Sequence, residues 1–249
     1  MDDWQLLVDL HKDGSRQGPG GEAETRLALT LSGLRGKSDL KIADIGCGSG
    51  ASTLILAKEL DAHITAVDFL PEFLQVLEHT ANKAGVAERI TSRVQSMDAL
   101  SFQEGELDAI WSEGAIYNMG FEAGITAWRR FLKPGGILAV SELTWLTRDR
   151  PAALQAHWDQ EYSEVDTAAA KIKILEQQGY SPRGYFVLPE HCWLDNYYRP
   201  LQHRFGRFLE VHGHCDATKA IVAAEEKEIT LYEQNRAFVS YGYYIAQKA

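Results

Sequence analysis

The chain lacks any apolar run near the ~20 residues that span a bilayer, any Lys/Arg-rich run, and all but three cysteines in 249 residues. The first absence argues against a membrane-spanning helix. The second leaves nothing to offset a formal net charge of −10, a field that repels phosphate backbones and anionic lipid, so neither nucleic acid nor a membrane surface is an expected partner. Cys47, Cys192 and Cys215 are odd in number and far apart, which fits a reducing compartment without a disulfide framework. The opening MDDWQLLVDL is acidic where a secretory signal would be basic. A cytoplasmic location is expected. Repeats and low-complexity tracts are missing too, so one main α/β domain is anticipated, and a homodimer is left open.

What is present is an alternation of strand-like and helix-like stretches. After the breaker cluster DGSRQGPGG (13–21) comes a helix pattern near 22–33. Strand patterns follow at 41–46, 63–68, 89–95, 107–112 and 136–143, with helices near 50–60, 71–84 and 121–132, the last ended by Lys133, Pro134, Gly135 and Gly136. Such alternation predicts a Rossmann-like, doubly wound, mainly parallel α/β sheet of seven strands. The core unit is read as residues 22–145. Helical patterns near 151–178 and the strand-like YFVLPE precede a helical stretch, 189–236, and a strong final strand, 237–247. We read 189–236 as a cap insertion before the last strand, because it is too long for a hairpin connection.

The stretch IADIGCGSGAST (42–53) runs from a strand into a glycine turn and then a helix. Gly46, Gly48 and Ala51 meet the G-x-G-x-x-G/A spacing of a dinucleotide site, while Gly50 makes the run G-x-G-x-G. Asp44, two residues ahead of the first glycine, would face a pyrophosphate unfavourably but can accept from the ammonium of a methionine moiety. That favours S-adenosylmethionine (SAM) over NAD. Asp68, 22 residues after Gly46 at the end of the second strand, is placed for ribose hydroxyls with either ligand. Asp98 can accept from an adenine amino group with Met97 packed on the ring, or else cap a helix. Cys47 reads as a small residue of the turn, and Phe69 follows Asp68; both belong to the candidate cofactor set.

As an ordered set, DIGCGSG, the acidic end of strand two, the acid after strand three, the fourth-strand motif and LKPGG resemble the class I SAM-dependent methyltransferases over about residues 20–145. RQGPG, WSEGAIYNMGF and LPEHCW further resemble a bacterial subgroup of small methyltransferases. The resemblance implies cofactor contacts at Asp44, Gly46, Gly48, Asp68, Met97, Asp98, Ser112 and Glu113. It implies methyl transfer to a small-molecule acceptor by in-line displacement, in which holding the acceptor close to the methyl carbon is the main task.

On the acceptor side, Glu113 is a candidate base or cofactor-positioning group, alternatively a helix-cap carboxylate, and Tyr117 an orienting hydroxyl or a core aromatic. Arg16 is either a clamp on a carboxylate or an exposed arginine. Trp145, Trp193, Tyr197 and Tyr198 form a substrate wall or part of the core. His212, His214 and Cys215 carry donor atoms suited to zinc, but no fourth ligand is evident and no metal is expected. The rival readings are a SAM-binding protein without transferase activity and, less favoured, an NAD-dependent dehydrogenase.

Overall fold

The computed structural model describes residues 3–249. Its sheet has the order β3-β2-β1-β4-β5-β8-β7, built from β1 (Leu40–Ile45), β2 (Ala62–Asp68), β3 (Ile90–Val94), β4 (Leu107–Glu113), β5 (Leu132–Trp145), β7 (Tyr180–Val187) and β8 (Val239–Lys248). An eighth strand, β6 (Asp166–Thr167), pairs only with β5. Two residues long, it is too short to leave a pattern in sequence. β8 runs antiparallel to both β5 and β7; the first five strands are mutually parallel.

Successive residues along the central strands enter opposite core layers. Ile42, Trp111 and Ile137 join one buried cluster, and Ile45, Ile110 and Leu138 the other. Apolar side chains on both faces demand helices on both faces, which is why these strands read as continuous hydrophobic runs. The helices supply the cover: α2 (Glu22–Ser32), α3 (Ala51–Glu59), α4 (Pro71–Ala84), α5 (Phe121–Arg129), α6 (Ala152–Glu161) and α7 (Ala168–Gln177). Pro71 at the first turn and Gly85, at φ 70° just past the end, bound α4 by the usual start and stop chemistry. The expected helix end at Lys133–Gly136 differs. The helix ends at Arg129, and these residues bulge within β5 where the register with β4 shifts.

Between β7 and β8 lie α8 (Glu190–Trp193), a π-helical turn (Leu194–Tyr198), α9 (Arg199–His212) and α10 (Asp216–Asn235). These helices are joined by α1 (Asp3–His11), which the sequence pattern leaves apart from them. Arg204 Nε donates to the Leu10 carbonyl at 3.1 Å, and His11 Nε2 lies 3.1 Å from Glu225 Oε1. Residues 12–21 therefore run from this helical layer to the carboxyl edge of the sheet.

Candidate active site

β1 and β4 are neighbours whose following connections lead to opposite sides of the sheet. The crevice at their carboxyl ends is the switch point where open α/β sheets bind ligands. There the chain leaves β1 through Gly46 and Cys47, whose amides donate to the Val67 carbonyl at 2.8 and 3.0 Å. Gly46 sits at φ 69°, and a Cβ on it would lie 2.4 Å from Ala115 Cβ. Only glycine fits there. Gln17 closes over the same turn: its Oε1 accepts from the Ser49 amide at 2.8 Å, and its Nε2 donates to the Gly14 carbonyl at 3.0 Å.

A cavity of about 670 Å³ occupies this crevice, lined by Gly46, Cys47, Gly48, Asp68, Phe69, Met97 and Asp98 on one side. Asp68 Oδ2 accepts from the Gly48 amide (2.8 Å) and Oδ1 from Leu70 (3.0 Å), leaving each oxygen a further lone pair. Burial pushes its carboxyl above the ordinary range. Met97 is fixed by its carbonyl, which accepts from Trp128 Nε1 at 3.0 Å. No helix follows Asp98, so the capping alternative has nothing to cap. Phe69 is 64% exposed, an unusual position for phenylalanine that gives the cavity an apolar rim. Burial, with Asp44 and Asp68 close by, pushes the Cys47 thiol well up, so it is no nucleophile.

Three of the expected cofactor residues stand behind the cavity wall. Asp44 is fully buried, and its Oδ2 accepts from the Ser52 and Thr53 hydroxyls at 2.7 and 2.6 Å. Its Oδ1 has no partner, and burial raises the carboxyl to about 7. Gly50 faces α4, where a Cβ would meet Leu77 Cδ1 at 2.1 Å. Ser112 Oγ donates to the Ile45 carbonyl at 2.8 Å and ties β4 to β1.

Glu113 ends β4 on the same side as Trp111, two residues earlier. Its Oε1 accepts from Thr25 Oγ1 (2.7 Å), Trp111 Nε1 (3.0 Å) and the Tyr243 hydroxyl (3.1 Å), and its Oε2 from Arg16 at 2.9 Å. Four donors converge on this carboxylate, three of them crowded on Oε1, and Oε2 keeps a further lone pair. Arg16, rather than an exposed arginine, is held in the cavity wall by an ion pair whose side chains are only 11% and 8% exposed. Thr25 and Tyr243 lie in no motif, and Gln17 and Trp111, although inside RQGPG and WSEGAIYNMGF, carried no signal that marked them as site residues.

The opposite wall comes from Tyr117, Tyr197, His11, Trp4, Glu225 and Glu228. Tyr117 is 41% exposed and meets Tyr162 edge-on at 6.1 Å. Of the expected aromatic wall, Tyr197 faces the cavity; Trp145, Trp193 and Tyr198 do not line it and are core residues. Trp193 stacks on Tyr232 at 4.4 Å and donates to Ser240 Oγ at 2.9 Å. Trp145 is 3% exposed beneath the Arg150 guanidinium. HGHC does not gather its donors: His212 turns to Asp9 and Cys215 to Thr218. Glu225 and Glu228 escaped the sequence reading because helical glutamates are ordinarily solvated.

Residues 42–136 match the family model described as a methyltransferase domain. Over that stretch the chain is similar to methyltransferase domains. A SAM-dependent methyltransferase from Geobacter sulfurreducens, solved with S-adenosyl-L-homocysteine, shares the fold with a TM-score of 0.85 over 98% of each chain at 18% identity. A ubiquinone biosynthesis O-methyltransferase of Xylella fastidiosa (strain M23) is 33% identical over 117 residues, 46% of this chain and 44% of that protein. A [4+2]-cyclase also shares the fold, with a TM-score of 0.76 and 18% identity over 98% of this chain and 92% of that one. The first curated relatives are matched over only 30% to 58% of their own lengths. No helix among the described residues is long and apolar enough to cross a membrane.

Proposed function

We propose that the protein transfers a methyl group from SAM to a small-molecule acceptor. The observation that carries this reading is a single cavity of about 670 Å³ whose two walls differ in chemistry. Its volume falls within the usual range of small-molecule sites. The residues fit the donor: Asp68 and Asp98 line the cavity with acceptor oxygens, Met97 and Phe69 with apolar surface, and the Oδ1 of Asp44, buried behind the turn, is left without a partner.

When bound, SAM supplies a methyl group already activated on a sulfonium. Asp68 would accept from the ribose hydroxyls with its free lone pairs, Asp98 from the adenine amino group, and Met97 and Phe69 would flank the ring. Arg16 uses two of its five N–H donors on Glu113 and Thr25, which leaves others for the carboxylate of the methionine moiety. Glu113 is then a positioning residue that aims Arg16, and Tyr117 orients the acceptor. Residues 12–21, closed over the turn through Gln17, exclude water and keep the reactants in register.

Calorimetric titration with SAM, S-adenosylhomocysteine and NAD in one buffer tests the reading. Binding of both adenosyl ligands and not NAD is expected. Binding of NAD alone overturns it, and SAM binding with no turnover on any acceptor favours the non-transferase reading, which the shared fold of the [4+2]-cyclase makes worth testing.

A further inference from the structure

The acceptor wall has an uneven charge inventory. Its arginine, Arg16, is held by Glu113 at 2.9 Å, and His11 Nε2 lies 3.1 Å from Glu225 Oε1. Glu228, also on α10, has no cation within ion-pair distance among the described residues. Its Oε1 accepts only the Tyr198 hydroxyl, at 3.0 Å. Glu228 is exposed to the cavity; partial desolvation there and the Glu225 carboxylate raise its carboxyl above the ordinary range, against the Tyr198 hydrogen bond and His11, which act the other way, and this suits it to take up a proton. Tyr117 and Tyr197 line the same space; tyrosine faces attract cations.

On the methyl-transfer reading, we infer that the acceptor is a small primary or secondary amine, received as its ammonium by Glu228. An anionic acceptor would meet Glu225 and Glu228, while the remaining Arg16 donors are taken, on the proposed function, by the cofactor carboxylate. A neutral alcohol would satisfy a lone pair and leave the carboxylate charge uncompensated. The ammonium compensates it and also supplies the proton that must leave. The N–H bond breaks as an O–H bond forms on Glu228. The freed nitrogen lone pair then forms the N–CH3 bond while the S–CH3 pair departs with sulfur, giving the N-methylated ammonium and S-adenosylhomocysteine. Glu228 is thus a catalytic residue and Tyr198 its positioning residue.

The test uses the full chain saturated with S-adenosylhomocysteine. Calorimetry then compares methylamine, ethanolamine, benzylamine and tyramine with the matched alcohols and with benzoate, in the wild type and in Glu228→Gln. The glutamine oxygen still accepts from Tyr198, so the wall keeps its shape. At least one amine is expected to bind tenfold or more tighter than its matched alcohol and than benzoate, and Glu228→Gln should erase most of that preference while leaving S-adenosylhomocysteine affinity within about twofold. Amines binding no better than their alcohols, benzoate binding best, or an unchanged preference in Glu228→Gln overturns the inference with the cofactor site intact. Failure of S-adenosylhomocysteine itself to bind overturns the proposed function, and this inference with it.

Discussion

Replacing Glu113 by glutamine separates a strut from a base. Each carboxylate oxygen faces a group that can only donate: the Trp111 N–H on Oε1 and the Arg16 guanidinium on Oε2. Whichever way the amide is turned, its NH2 meets a donor. One charge-assisted bond, worth about 1.5–3 kcal/mol, is lost, and Arg16 is left buried without its counter-charge, a defect that costs about 3–5 kcal/mol in comparable pairs. The side chains are so little exposed that solvent screening recovers only a small part. We expect a loss of about 3 kcal/mol in unfolding free energy, a factor of roughly 150 in the folding equilibrium. Urea denaturation of wild type and Glu113→Gln, followed by fluorescence and circular dichroism, gives the number. A variant that unfolds at the wild-type midpoint with unchanged slope, yet has lost turnover, would refute the strut and restore Glu113 as a base.

Other expectations concern neighbouring residues. Asp68→Ala removes the acceptor proposed for the ribose hydroxyls and the brace on the Gly48 amide; SAM affinity should fall at least tenfold by calorimetry, and unchanged affinity would sink the assignment. Asp44 is a buried acid raised from 3.8 to about 7. The folded state holds its proton over that interval while the unfolded state releases it, so the contribution is complete below about 4 and is lost as pH rises to about 7. Asp44→Asn carries no such dependence, so its stability relative to wild type should improve by up to about 1.4 kcal/mol per pH unit across that window; parallel stability curves from pH 4 to 8 would contradict this. Trp193→Ala empties a core position stacked on Tyr232 and should cost about 3–5 kcal/mol of stability. S-adenosylhomocysteine affinity should change by less than about threefold, and a selective loss of affinity would return Trp193 to the cavity wall.

That Gly46, Asp68 and Asp98 would share one cavity wall, the proposed donor side, was legible in sequence because these residues sit at fixed offsets from strand ends. Gly46, Asp68 and Asp98 each follow an apolar strand, and parallel sheets gather such ends along one edge. The order of the first five strands and the final strand could be read for the same reason. Asp44 was recognised but misplaced by a layer. Strand alternation turns it away from the cavity, toward the Ser52 and Thr53 hydroxyls. The wall proposed for the acceptor was opaque. Glu225 and Glu228 look like any solvated helical glutamates until tertiary packing brings α10 over the crevice, and Trp193, chosen for its aromatic neighbourhood, was drawn into the core by Ser240 and Tyr232. Periodicity reports which face of an element is apolar, not which element that face meets.

The closure of α1 onto α9 and α10 carries a consequence for biosynthesis. His11 contacts Glu225 across 214 positions, and Asn196 donates to the Gly20 carbonyl across 176. Contacts of that span form only after most of the chain has been made, and their loop-closure cost comes before any reward. On the ribosome the Rossmann-like strands can pair while α1 waits for its docking partners α9 and α10. Arg16 and Gln17 can pair with Glu113 and Ser49 once the sheet has formed, but the wall of the crevice that carries Glu225 and Glu228 is added only in the last steps of folding.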